Sequence, residues 1–181
     1  MLTIEEFCDK HKACKEGRDW ALANCSSMID AWDKLPLAWL VWVATRPGVL
    51  TNYELRLFVV YCARSVEHLL TDQRSKNAIE VAERFVNGDA TDEELAAAWS
   101  DARDAAWAEA CVAAVSGVRS SAHAAWAAYA AAYAAKAAYA ATCAAAYAAD
   151  AATCAADDAA KAACIESQAS WLRANTRPSF E

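Results

Sequence analysis

Alanine dominates one long segment of this chain. Between Ala122 and Ala163, 27 of 42 residues are alanine, and the segment contains no Leu, Ile, Val, Phe, Gly or Pro. Alanine has the highest intrinsic helix propensity and loses no side-chain entropy on folding, so the segment is predicted to be helical. Its few large side chains therefore decide what each face of the helix presents.

The larger side chains of this segment share one face. At 100° per residue, those from Trp126 to Lys161 project within an arc of about 140°, and the opposite arc contains only alanine and threonine except for His123. Small side chains let two helix axes approach closely. We therefore expect the alanine face to be buried against other helices, which leaves the aromatic and charged face for another role.

The segment is too long for one helix in a domain of this size. A helix of 42 residues would extend about 63 Å at 1.5 Å per residue. We therefore expect a break, with Thr142, Asp150 or Thr153 as the N-cap of the next helix. The unit from His123 to Tyr139 is expected to stay intact.

The rest of the chain also predicts an all-α fold. Capping boxes begin at Thr3, Thr51 and Thr91, each with a glutamate three residues later. Only four glycines and three prolines are present, too few for the turns of a sheet of short strands. We expect a single-domain array or bundle of about seven to nine helices, with close-packed alanine-rich helices towards the C-terminus. The expected segments of the domain 1–181 are mixed apolar helices over 1–88, alanine-rich helices over 91–175 and a polar tail over 176–181.

Charge and hydropathy exclude several partners. The net charge of −7 and the pI near 5.0 argue against binding to DNA or RNA, which requires clustered Lys and Arg. No signal peptide is evident, and the longest apolar run, Leu35 to Ala44, is too short to span a membrane. We expect a soluble cytoplasmic protein with no membrane partner.

The cysteines and histidines do not form a recognisable metal or catalytic motif. The eight cysteines are scattered through helical segments, which is typical of reduced thiols. Cys8, His11 and Cys14, with Cys25 as a fourth ligand, would be a candidate metal site, but the usual zinc spacings are absent. No nucleophile elbow, phosphate-binding glycine loop or HExxH motif is present. We expect neither an enzyme nor a bound cofactor or metal.

The aromatic side chains of the alanine segment are the strongest candidate for a binding site. Aromatic rings are platforms on which a nucleobase stacks, and a nearby cation can hold a phosphate. The alternative is that the rings fill the gap between one alanine-rich helix and the next. The candidate ligand-binding residues are Trp126, Tyr129, Tyr133 and Tyr139, with Arg119, His123 and Lys136 as cationic or hydrogen-bonding companions.

Two further surfaces are weaker candidates. The first is a polar helix face whose arginines suit phosphate or carboxylate, although most such faces are merely solvated. The second is a group of Trp, Arg and Asp residues typical of an interface with a partner or a second copy. The polar face contains Tyr53, Arg56, Arg64, His68 and Arg74, and the interface group contains Trp99, Asp101, Arg103, Asp104 and Trp107.

Part of the chain resembles a known family. Between Ser27 and Trp99 the sequence reads AWDKLPLAWLVWVAT, LTNYELRLFVVYCARSVEHLLTDQRS and AIEVAERFVNGDATDEELAAAW, and alanine repeats with aromatic residues follow. These segments resemble alanine-rich, all-helical proteins of phages and gut bacteria that are often labelled immunity proteins of toxin systems. The motifs are helix-packing motifs, so they imply a fold more directly than an activity.

The resemblance implies two functions. One is a phage protein that sequesters a nucleotide signal of a bacterial defence system, of the Thoeris or cyclic-oligonucleotide type. The other is an immunity protein that neutralises a cognate toxin domain by binding it. The aromatic face with Lys136 favours the first, and the acidity of the chain favours the second. We also expect a homo-oligomer, because an exposed aromatic face of this size would otherwise promote aggregation.

Overall fold

A computed structural model describes residues 1–116, 119–133, 137–155 and 158–181. These residues form ten α-helices and one short 3₁₀ helix, without a β-strand among them. The all-α prediction is confirmed, and the expected number of seven to nine helices is too low. The helices are α1 (Ile4–His11), α2 (Lys15–Asn24), α3 (Met28–Lys34), α4 (Leu37–Ala44), α5 (Asn52–Ser65), the 3₁₀ helix (Glu67–Leu69), α6 (Gln73–Asn87), α7 (Asp92–Ser116), α8 (Ser120–Ala132), α9 (Ala137–Ala155) and α10 (Asp158–Asn175).

The helix starts follow local chemistry. In the capping boxes of α1 and α5, the hydroxyls of Thr3 and Thr51 accept from the backbone N–H three residues on, and the glutamate there accepts from the threonine N–H. Thr91 makes the same reciprocal pair with Glu94, at 2.8 and 3.1 Å. Each pair satisfies N–H groups that the first turn of a helix leaves without a partner.

α8 lies at the centre of the bundle. It packs against α5, α6, α7 and α9, and its alanines are buried, with Ala124, Ala125, Ala127 and Ala128 fully inaccessible to solvent. This burial agrees with the expectation that the alanine face packs against other helices. Methyl side chains are what allow one helix to have four close neighbours.

The breaks in the alanine segment differ from the expected ones. α8 ends at Ala132, with Tyr133 as its C-cap at a ψ of 65°, and α9 is helical through Thr142, Asp150 and Thr153. The N-cap assignments to these three residues were therefore wrong, as was the intact unit from His123 to Tyr139. Runs of alanine lack local stop signals, so packing against neighbouring helices determines where each helix ends.

The N-terminal helices form a smaller layer beside the bundle. α4 is made entirely of apolar residues and packs against α9 and α10, with Ala38 exposed. The C-terminal residues, expected as a polar tail, close this layer instead. Phe180 is buried with its ring centroid 5.8 Å from that of Phe7, and its carbonyl accepts from the N–H of Leu2.

Candidate functional site

The aromatic side chains of α8 project from the face opposite its central alanines. Trp126, Tyr129 and Tyr133 follow one another at spacings of three and four residues, which places them on one side of the helix. All three are half-buried, whereas the alanines of the other face are buried. The face expected from the sequence is therefore present over the length of α8.

Neighbouring helices extend these three rings into an array of five. Trp99 of α7 stacks against Tyr133, with centroids 5.9 Å apart, and Tyr147 of α9 stacks against Trp126 at 6.1 Å. Within α8, Trp126 meets Tyr129 edge-on at 5.4 Å. These separations and angles are those that aromatic pairs prefer. We call these five residues the aromatic array.

Two members of the array were not assigned to the site from the sequence. Trp99 was expected in an interface group, and Tyr147 was recognised on the aromatic arc but not as a site residue. The signal for Tyr147 is the antiparallel packing of α8 and α9, which pairs early residues of one helix with late residues of the other. The sequence cannot show that pairing until the break near Tyr133 is known.

The array opens onto a cleft between α8 and α9. This aromatic cleft has a volume of about 220 Å³, and four array members line it: Trp126, Tyr129, Tyr133 and Tyr147. Burial raises the pKa of the Tyr147 phenol above its ordinary value, and Cys143 and Asp150 raise it further. Tyr147 is therefore a hydrogen-bond donor at neutral pH. The volume is below the range of drug-sized pockets, about 300–1,000 Å³, and suits one planar group.

A second cavity is also lined by Tyr133. It has a volume of about 290 Å³, and its lining includes Tyr133, Trp99, Arg56 and Asp92. The guanidinium carbon of Arg56 lies 5.4 Å from the ring centroid of Phe85. Tyr133 thus lines both cavities, its stacked partner Trp99 lines the second, and the second cavity is also lined by a cation and a carboxylate.

The companions expected for the aromatic residues have different positions. Arg119 is exposed at the N-cap of α8, and Nδ1 of His123 lies 3.6 Å from Sγ of Cys154 on α9. Lys136 and the side chain of Tyr139 lie outside the described residues, so their assignments stay predictions. Of the expected group, the structure brings together Trp126, Tyr129 and Tyr133.

The polar face of α5 is not assembled into one site. Arg64 is ion-paired with Glu67 at 2.9 Å and with Glu83, and Arg74 is paired with Asp72 at 2.7 Å. His68, in the 3₁₀ helix, is exposed, as is Tyr53. Arg56 lines the second cavity, about 12 Å along the helix from Arg64 at 1.5 Å per residue. Only Arg56 of this face lies beside the aromatic array.

The outer face of α7 carries the remaining aromatic candidate. Trp107 is 68% exposed, an unusual position for so large an apolar side chain. One turn earlier Arg103 pairs with Asp104 at 3.0 Å and lies over the ring of Trp99 at 5.4 Å. The expected interface group is thus divided, because Trp99 faces the array and Trp107 faces solvent.

Three further observations bear on function. Among the described residues, no group of three or more His, Cys, Asp or Glu side chains is arranged to hold a metal ion. Of the helices in the described ranges, none combines the length and hydropathy needed to cross a membrane. Comparison of the chain with protein-family models, curated proteins and solved structures found no match.

Proposed function

We propose that this protein binds and sequesters a nucleotide by stacking its base in the aromatic cleft. The observation that carries the proposal is the aromatic array, four of whose rings line a cleft of about 220 Å³. A base stacked on an aromatic side chain gains about 1–3 kcal/mol. Rings contributed by two helices can contact a base on more than one side.

The second cavity supports a ligand with two planar groups. Tyr133 lines both cavities, so a base in each cavity would contact its ring or that of Trp99. Arg56 supplies positive charge for a phosphate, and the Asp92 carboxylate is an acceptor for ribose hydroxyls. A dinucleotide matches this arrangement better than a single base. From the sequence, Lys136 stays a candidate phosphate contact.

The biological role that we propose is counter-defence. The resemblance to alanine-rich phage proteins suggests that the ligand is a nucleotide signal of the Thoeris or cyclic-oligonucleotide type, held without being altered in the bacterial cytoplasm. Because the chain is acidic, with a net charge of −7, stacking rather than long-range attraction supplies most of the affinity.

Thermal unfolding with a nucleotide panel tests this proposal. The panel contains ADP-ribose, cyclic ADP-ribose, and cyclic mono- and dinucleotides. A ligand at one hundred times its Kd stabilises the fold by about 2.7 kcal/mol, which raises Tm by about 5–10 °C in a domain of this size. Mass spectrometry of the ligand recovered after heating should find it intact. An altered nucleotide would indicate an enzyme, and no shift with any panel member would refute nucleotide binding.

A matched pair of tryptophan variants localises the site. Trp126→Ala removes a ring of the cleft and should weaken binding about 5- to 150-fold, the loss of about 1–3 kcal/mol of stacking. Trp107→Ala removes an exposed ring on α7 and should leave the affinity unchanged. Circular dichroism of both variants checks that the helices persist. Equal effects of the two substitutions would place the ligand outside the cleft.

Partner binding through α7 is the second candidate function. Trp107 is 68% exposed beside the Arg103–Asp104 pair, and exposed Trp and Arg residues are typical centres of protein interfaces. A toxin domain bound there would make this chain an immunity protein, and a second copy bound there would make it a homo-oligomer. Under this alternative, Trp107→Ala abolishes complex formation, Trp126→Ala does not, and no nucleotide shifts Tm.

A further inference from the structure

A cysteine and a histidine lie in contact where α8 begins and α9 ends. Sγ of Cys154 is 3.6 Å from Nδ1 of His123, within the range of hydrogen bonds to sulfur. Cys154 is exposed and His123 is half-buried. The antiparallel packing that stacks Trp126 on Tyr147 produces this contact one turn earlier on α8, so the pair lies on the α8–α9 seam beyond the aromatic cleft.

A thiol next to an imidazole has a defined chemistry. With the imidazole proton on Nε2, Nδ1 can accept the thiol proton, and the resulting thiolate is the nucleophilic form of cysteine. His123 is also the fourth residue of α8, where the partial positive charge of the helix N-terminus favours a nearby anion. The C-terminal end of α9 opposes this effect, which leaves the imidazole contact as the deciding interaction.

We propose that Cys154 is a reactive thiol, activated by His123, that is modified by soft carbon electrophiles. In the step, Nδ1 takes the thiol proton while the sulfur lone pair forms a bond to the electrophilic carbon. With iodoacetamide the carbon–iodine bond breaks, iodide leaves with its electron pair, and a thioether remains. The imidazolium then returns its proton to water, so no oxidant or further reactant is needed.

The other exposed cysteines provide internal controls. Cys14 and Cys111 are exposed, like Cys154, whereas the remaining five thiols are buried or half-buried. Cys111 lies on the outer face of α7, and Cys14 is the N-cap of α2, where its Sγ accepts from the N–H of Gly17 at 3.4 Å. Labelling of the three sites within one sample compares reactivity at equal reagent concentration.

The experiment is a time course of iodoacetamide labelling of the full chain at pH 7, quantified at each cysteine by mass spectrometry. Because His123 can take the thiol proton as the carbon–sulfur bond forms, we expect Cys154 to react about threefold or more faster than Cys111. His123→Asn should bring this ratio to about one. The ratio of Cys14 to Cys111 should not change.

Two results would overturn the proposal. One is a native Cys154 to Cys111 ratio of one or less, and the other is a ratio that persists in His123→Asn. If circular dichroism shows that His123→Asn has lost its helices, the test rests on labelling of the wild-type protein alone. Its rate preference must then disappear in guanidinium chloride, where Cys154 and His123 separate. A preference that survives denaturation would assign the reactivity to local sequence instead of the contact.

Discussion

The close packing of α8 can be tested by enlarging one of its buried alanines. Ala128 has no solvent exposure, and neither do Ala124 and Ala127 on the same helix. Leucine and alanine are both strong helix formers, so Ala128→Leu changes side-chain volume with little effect on helix propensity. The variant therefore reports whether the space around this methyl group is filled.

The expected cost follows from the lack of space. Overpacking a core costs about 1–3 kcal/mol, and three added carbons at a fully buried position of a helix with four neighbouring helices belong at the upper end. We expect the free energy of unfolding to fall by about 3 kcal/mol and Tm by about 6–12 °C. Ala97→Leu on the exposed side of α7 is the control and should change stability by less than about 0.5 kcal/mol.

Glycine at the same two positions measures the buried methyl group itself. Replacement of alanine by glycine costs about 1 kcal/mol in any helix interior, and loss of a buried methyl adds about 0.8 kcal/mol. Urea unfolding followed by circular dichroism gives the free energy of unfolding of all four variants, with leucine or glycine at each of the two positions. If Ala128→Leu and Ala97→Leu differ by less than about 0.5 kcal/mol, the alanine face has free space and the packing argument fails.

Two further predictions concern the ends of helices. Burial raises the pKa of Glu54, but hydrogen bonds from the N–H groups of Arg177 and Thr51 and from the Thr51 hydroxyl outweigh it, and the folded-state pKa lies below the ordinary value. This carboxylate therefore stabilises the fold above the unfolded pKa of about 4.3 and ceases to do so as the pH falls through the folded value. Glu54→Gln should lower the free energy of unfolding by about 1 kcal/mol at pH 7 and leave it unchanged at a pH below both pKa values. Urea unfolding at a series of pH values measures this difference. A loss of stability that does not depend on pH would contradict the prediction. Arg173 donates to the carbonyls of Trp32 and Leu35, at 3.1 and 2.7 Å, so Arg173→Met should lower the free energy of unfolding by about 1–2 kcal/mol. Arg74→Met removes a surface ion pair with Asp72 and should lower it by less than about 0.5 kcal/mol. Equal costs for the two arginines would show that the α3 carbonyls need no donor.

Only part of the candidate site could be predicted from the sequence. Trp126, Tyr129 and Tyr133 were assigned because spacings of three and four residues place side chains on one face of any helix. Trp99 and Tyr147 complete the array from other helices, and no spacing in the sequence connects them to α8. The contact between His123 and Cys154 was missed for the same reason, since 31 residues separate the two in the chain.

The sequence by itself determined the helical state, the starts of the capped helices and the sidedness of the alanine segment. These follow from interactions within a few residues: alanine propensity, reciprocal bonds at Thr3 and Thr51, and a repeat of 3.6 residues per turn. Tertiary structure alone decided the break at Tyr133, the central place of α8 and the burial of Phe180. A run of alanines contains no local stop signal, so the packing of whole helices against one another selects the break.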